Sequence, residues 1–317
     1  MRAPIVIARL QRFSTLLVLA VAFGWAAVLL ERGHPWAAII GAVLVALGYA
    51  LFLGLEFVLL ARHGVDLQHL RPSVAQLLRA WCGEVLRTPL VFCWRQPFRW
   101  HAEPDHLPAA AQGRRGVLLV HGFVCNRALW NPWMRALRAR GVPFVAVDLE
   151  PPFGSIDRYV PALRDAAGRL EAATGQPPLV VAHSMGGLAA RAWLAEGVGP
   201  VPYRVMTIAT PHGGTWLARY ALTRNGFEMQ RDGAWLKRLA AREAPDHGRR
   251  FVCFYGHCDN IVFPISTATL PGADNRHLAA TAHVQMVYHP EVFQAALALL
   301  GAPMGPGGAT PTRAQMS

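Results

Sequence analysis

The chain has 317 residues, 53% hydrophobic and only 16% charged, with a formal net charge of +12. Its five cysteines, an odd number, argue against a disulfide framework. The positive charge is carried almost entirely by arginine, with Lys237 the only lysine. In the absence of any nucleic-acid-binding motif it fits a membrane enzyme better than a nucleic-acid binder.

Residues 13–30 and residues 36–55 contain no charged side chain, and the second run can extend past Glu56 to Leu60. Eighteen residues at a helical rise cover about 27 Å, close to the hydrocarbon thickness of a bilayer. Only Glu31-Arg32-Gly33-His34-Pro35 separates the two runs, and Pro35 is placed to start a helix. The pattern predicts a transmembrane hairpin over 1–61, with spans of about 13–30 and 36–60. A signal peptide competes with this reading, because Arg2, Arg9 and Arg12 form a basic flank; the length of the first run and the immediate second run weigh against it. Arginines precede the first span (Arg2, Arg9, Arg12) and follow the second (Arg62, Arg71, Arg79), while the loop has one, offset by Glu31. The positive-inside rule therefore places both ends, and the rest of the chain, on the cytoplasmic side of an inner membrane.

Residues 62–112 read as a juxtamembrane linker, helical around Val74–Leu86 and broken by Pro89, Pro97, Pro104 and Pro108. Within it Trp81, Arg87, Phe92, Trp94, Arg95, Phe98, Arg99 and Trp100 interleave aromatic rings with cations, a mixture suited to anionic lipid headgroups.

From residue 113 to 302 apolar runs alternate with amphipathic stretches. Strands are predicted at 116–120, 144–148, 179–182, 204–209 and 251–255. Helices are predicted at 132–140 (capped by Asn131 and Pro132, closed by Gly141), 157–173, 188–195 and 290–300. Such alternation gives a mostly parallel sheet covered on both faces, the α/β class. Residues 216–248 form a longer crossover holding Trp216, Phe227, Met229, Trp235 and Leu236, read as a cap or lid, with an ordinary crossover as the alternative. The Gly- and Pro-rich tail, 303–317, reads as disordered.

Leu179-Val-Val-Ala182-His183-Ser184-Met185-Gly186-Gly187 is the most informative stretch. An apolar strand enters small residues, presents a serine and gives way to a helix. That is the pattern of a sharp strand-to-helix turn holding a serine Oγ clear of the backbone. The turn needs small residues two before and two after the serine, here Ala182 and Gly186. An ordinary turn with a capping serine is the bland reading. Upstream, the strand ending at Val120 runs into His121-Gly122-Phe123. Downstream, Asp259 follows the strand 251–255, and His277, His283 and His289 come after it. Asp148 and Asp274 are rival acids explained by turn chemistry, and Cys125, with no such turn around it, reads as packing. A zinc site from Cys253, His257 and Cys258 is disfavoured because Cys253 falls inside a strand.

These segments, with Thr207-Ile-Ala-Thr210-Pro-His212-Gly-Gly-Thr215, resemble the α/β-hydrolases of the bacterial lipase and esterase type over residues 113–302. The small bacterial lipases also carry alanine where Ala182 replaces the commoner glycine. The resemblance implies a serine hydrolase with Ser184 as nucleophile, Asp259 as acid and His283, which follows small residues and precedes a hydrophobic stretch, as base. It implies an oxyanion hole from the backbone N–H groups of Phe123 and Met185, with His183, Gly187, His121 and Gly122 in support and His212 structural. The Phe123 side chain would line an acyl pocket. No metal or organic cofactor is required. The substrate expected is a hydrophobic or lipid-like ester, with membrane lipids as the surrounding partners and no nucleic acid. A thioesterase or acyltransferase on the same triad, and a non-catalytic membrane scaffold with a hydrolase fold, are the alternatives.

Overall fold

The computed structural model describes residues 5–301; Arg2 and the tail 303–317 lie outside the described residues. Two long helices come first, α1 (Val6–Glu31) and α2 (Pro35–His63), packed antiparallel around a turn in which Gly33 takes a φ of 75°. Both are long and apolar enough to cross a membrane, and their apolar windows are only 6% buried. Both helices run several residues beyond the charge-free stretches.

α3 (Val74–Thr88) starts at a capping box, in which the Ser73 hydroxyl accepts from Gln76 N–H and the Gln76 side chain accepts from Ser73 N–H. Pro89 does not break it. The helix passes into a π-helical stretch, Pro89–Arg95, and then α4 (Gln96–Phe98). Proline lacks the N–H and crowds the preceding turn, and the widened π turn absorbs both effects. α3 lies along α2, with Trp81 Nε1 donating to Ala50 O and Tyr49 Oη donating to Val85 O, both at 3.0 Å. The arginine–aromatic stretch splits: Trp94 and Arg99 are exposed, whereas Arg95 is buried over the Tyr288 ring and Trp100 is buried too.

Six parallel strands form one sheet in the order β2-β1-β3-β4-β5-β6. They are β1 (Val117–Val120), β2 (Phe144–Ala146), β3 (Leu179–His183), β4 (Arg204–Ile208), β5 (Phe251–Gly256) and β6 (Asp274–Leu278). Strand side chains alternate between faces. Val117, Leu119, Leu179, Val181, Met206, Ile208, Val252 and Phe254 therefore build a core with α5 (Asn131–Ala139) and α10 (Pro290–Leu300). Leu118, Val120, Val180, Ala182, Val205, Phe251 and Cys253 build the other, under α6 (Val160–Thr174) and α7 (Met185–Glu196). Burying each Leu, Val or Phe contributes roughly 1.5–3 kcal/mol. A 3₁₀ turn, Ile156–Tyr159, precedes α6. Asn131 is the first residue of α5 and makes no cap; its side chain donates instead to Arg99 O at 3.0 Å, tying α5 to the linker.

β6 was not expected from the sequence. Its residues Asp274-Asn-Arg-His277-Leu are mostly polar because the strand lies at the sheet edge, where only Leu278 is buried. Asp274 and His277 thus sit on a strand rather than in turns. Residues 216–248 contain α8 (Arg224–Glu228) and α9 (Ala234–Arg242), and their Trp216, Met229, Trp235 and Leu236 are buried while Phe227 is exposed. The carboxyl end of α2 docks here: Phe57 and Leu60 pack with Trp216, Phe263 and Ala282, and the His63 ring stacks on Trp216 at 4.3 Å.

Candidate active site

At the carboxyl end of β3, Ser184 adopts φ 53° and ψ −128°, a conformation that costs a non-glycine residue energy. The surrounding structure holds it there. Ser184 N–H donates to Ile208 O at 2.9 Å, and Thr210 Oγ1 donates to Ser184 O at 2.9 Å. α7 begins at the next residue, so Met185 N–H lies in the unpaired first turn of a helix, where partial positive charge collects. Gly186 is required by close approach: a Cβ there would come within 2.5 Å of His121 O and 2.9 Å of Val120 O. Gly187 is equally confined by the Thr210 side chain. Ala182 is fully buried beneath the turn.

Asp259 follows β5 and is fully buried. Its Oδ1 accepts from Ile261 N–H and Val262 N–H, each at 2.9 Å, which fixes the carboxylate in its loop. The third partner is His283, whose Nδ1 meets Oδ1 at 2.9 Å and Oδ2 at 3.1 Å. Asp259 accepts only, so His283 Nδ1 carries the proton and Nε2 is left free to accept one. Burial pushes the His283 imidazole down. The Asp259 charge and hydrogen bond, with Glu84 and Glu56 beyond, outweigh burial and leave it raised above the ordinary histidine value. His183 packs against it, ring centroids 4.7 Å apart, and burial holds His183 well below its ordinary value, hence neutral.

His121 ties the loop after β1. Its Nδ1–H donates to Gly122 O at 2.8 Å, its Nε2 accepts from Leu149 N–H at 3.0 Å, and burial keeps it neutral. Gly122 faces Ser184: a Cβ on it would lie 2.8 Å from the serine Cβ. Phe123 is partly buried, its ring edge-on to Phe153 at 6.0 Å.

The rival residues are engaged elsewhere. Asp148 Oδ1 accepts from Arg127 N–H at 2.9 Å, and Asp274 pairs with Arg276 at 2.7 Å. His277 meets His257 at 2.7 Å, and His289 holds the N-cap position of α10 without a side-chain capping bond. Burial pushes the Cys125 thiol up to about 12, far from a thiolate at neutral pH. Cys253 Sγ lies 3.5 Å from His212 Nε2 within the sheet, and among the described residues no group of three or more His, Cys, Asp or Glu could hold a metal ion.

One member of the constellation carried no signal of its own in the sequence: Asn260 Oδ1 accepts from His283 N–H at 3.2 Å. Thr210, which lies in the Thr210-Pro-His212 segment of the resemblance, steadies the Ser184 carbonyl. Another, Glu56, accepts from Asn260 Nδ2 at 2.6 Å and was visible as a charge interrupting an apolar run.

A model of the alpha/beta hydrolase family matches residues 117–309. Among solved structures, the mature Bacillus licheniformis lipase BlEst2 superposes with a TM-score of 0.52 at 17% identity, covering 61% of this chain and 95% of that one. The propeptide form of that lipase gives 0.53 at 19%, covering 62% and 52%, and Aspergillus fumigatus lipase B gives 0.51 at 19%, covering 63% and 56%. This chain therefore spans about half the length of the latter two. At such identities the likeness is one of fold. No curated protein sequence matches the chain. The family match runs from β1 past α10 and takes in more than half of the chain, and the parallel sheet with its strained serine turn agrees with it: this protein belongs to the alpha/beta hydrolase family.

Proposed function

We propose that the protein is a membrane-anchored serine hydrolase that cleaves hydrophobic or lipid-like carboxylic esters. The observation that carries the reading is the buried Asp259–His283 couple, with Nδ1 bonded to the carboxylate, in the same domain as a serine held at φ 53° at a helix N-terminus. In this reading Ser184 Oγ attacks the ester carbonyl while His283 Nε2 takes its proton. Asp259 keeps the imidazole in one tautomer and stabilises the imidazolium. The N–H groups of Phe123 and Met185 receive the negative oxygen of the tetrahedral intermediate. His283 then protonates the leaving alcohol, and water, deprotonated by the same histidine, releases the acid from Ser184. No metal or organic cofactor enters. The substrate class is supported by the two long apolar helices, read as membrane spans, and by the exposed Trp94.

The division into a hairpin over 1–61, a linker over 62–112 and a catalytic domain over 113–302 with a cap at 216–248 belongs to the same proposal. A fluorophosphonate probe applied to membranes containing the full chain should label the wild type and leave Ser184→Ala unlabelled. Absence of wild-type labelling would sink the hydrolase reading in favour of a scaffold.

The site is assigned to the cytoplasmic face of an inner membrane, on the arginine asymmetry across the two spans. Green fluorescent protein fused to the C-terminus should fluoresce and alkaline phosphatase fused there should be inactive. Fusions within Glu31–Pro35 should give the reverse. Active phosphatase at the C-terminus overturns the orientation and redirects the substrate to esters arriving from outside.

A further inference from the structure

Among the polar side chains buried outside the hydrolase domain, three reach toward the candidate site: Gln11 of α1 at 8% exposure, Glu56 of α2 at 7% and Glu84 of α3 at 2%. Removing a carboxylate from water is costly unless its oxygens find hydrogen bonds. A simple tether needs no such groups, since apolar packing of the kind made by Phe57 and Leu60 would hold it. Each of the three spends its hydrogen bonds on, or next to, a different loop of the candidate site.

Gln11 Nε2 donates to Val124 O and to Gln96 Oε1, both at 3.0 Å. Val124 directly follows Phe123 and has a φ of 53°, so its carbonyl is turned out of any strand ladder and needs this donor. The same Gln96 Oε1 accepts from Asn126 N–H at 3.1 Å, and Asn126 Nδ2 donates to Gln96 O at 3.0 Å. The loop carrying the Phe123 N–H is thus pinned to α1 and α4.

His283 is gripped from both sides. On its amino side Asn260 Oδ1 accepts from His283 N–H, and the orientation of that amide is set by Glu56, which accepts from Asn260 Nδ2 at 2.6 Å. On its carboxyl side the Glu84 carboxylate accepts from Val284 N–H at 2.9 Å and Gln285 N–H at 3.1 Å. Gln285 Oε1 in turn accepts from Ala282 N–H at 3.2 Å, closing the loop around the histidine. About 200 residues of sequence separate each glutamate from the loop it holds, so these contacts form only when the helical region docks.

We infer that the hairpin and α3 are a built-in part of the active site, with Glu56 and Glu84 as positioning residues for His283 and Gln11 as a positioning residue for the oxyanion loop. The inference rests on the Ser184–His283–Asp259 reading. The two carboxylates also lie close enough to His283 to favour its charged form, together with Asp259. Burial pushes the Glu84 carboxyl up to about 7, so this group is sensitive to its surroundings near neutral pH.

The test uses the full chain in detergent micelles, a p-nitrophenyl ester, and the melting temperature of every variant. Glu84→Gln keeps the size of the side chain but leaves one oxygen for two amides. Glu56→Ala removes the partner of Asn260, and Glu56→Gln restores an oxygen for it. Glu84→Gln and Glu56→Ala should lose about 10- to 100-fold in kcat with little change in KM, because a misplaced base slows the chemical step and not binding. Glu56→Gln should recover most of the loss. In Glu84→Gln the acid limb of kcat/KM should move modestly to lower pH: Glu84, pushed up to about 7, is partly ionised there, and losing that partial charge lowers the His283 pKa, so the base stays neutral further into acid. Unchanged kcat and an unmoved acid limb overturn the inference. So do losses that follow the unfolded fraction in all variants, Glu56→Gln included. If Glu84→Gln does not fold, the contrast between Glu56→Ala and Glu56→Gln decides by the same criterion. Activity surviving in Ser184→Ala overturns the site reading itself, a different failure from active Glu84 and Glu56 variants.

Discussion

Replacing Ser184 by Ala is expected to lower kcat for a short p-nitrophenyl ester by about 10⁶-fold, the scale seen when the nucleophile of a concerted triad is removed. A residual rate of about 10³–10⁴ over water should remain, because the oxyanion donors and the binding surface are untouched. The melting temperature should hardly move. The serine side chain makes no capping hydrogen bond, and alanine keeps the Cβ that already fits against Gly122. The strained φ is held by the Ser184 backbone, whose N–H donates to Ile208 O and whose carbonyl accepts from the Thr210 hydroxyl; neither bond depends on the serine side chain. Steady-state kinetics with a melting curve checks both halves. Substantial turnover by a folded Ser184→Ala protein would remove Ser184 from the chemistry.

The second large effect concerns the acid and base. Asp259→Asn should lower kcat by about 10⁴-fold, since an amide can present its NH₂ to His283 Nδ1 and favour the wrong tautomer. An oxygen remains for the Ile261 and Val262 amides, so the loop should persist. The pH profile adds an independent sign. In the wild type His283 is raised above its ordinary value, chiefly by the Asp259 charge acting against burial, and the base works only when neutral. Activity should therefore fall as pH drops through that raised value. In Asp259→Asn the charge is gone, burial dominates, and the acid limb of the residual activity should shift to lower pH. His283→Ala should be comparably damaging, whereas His289→Ala and Asp274→Asn should stay near wild type, because neither residue reaches the couple. A larger loss in His289→Ala than in His283→Ala would reassign the base.

The sequence by itself determined the strand-to-helix serine turn, five of the six strands, the two long apolar helices and the candidate acid and base. These were legible because they are local: unbroken apolar runs, small residues around Ser184, and helix caps and stops are written in neighbouring positions. β6 was hidden because an edge strand buries only one of its five residues and so carries no apolar pattern. The continuation of α3 through Pro89 was hidden because a π turn relieves the clash that proline causes in an α-helix. Asp259 was favoured over Asp148 and Asp274 by its place after a late strand, but its 2.9 Å contact with the His283 imidazole is a matter of tertiary structure. Gln11, Glu56 and Glu84 could be read as polar residues in apolar surroundings, but their partners Val124, Asn260, Val284 and Gln285 lie more than 100 residues away. Hydrogen bonds across such separations depend on how the helices dock against the carboxyl ends of the strands, and only the tertiary structure decides that. The physical reason is that burial makes an unpaired carboxylate or amide costly, so docking that pairs Glu56, Glu84 and the Gln11 Nε2 is favoured, a choice no single segment encodes.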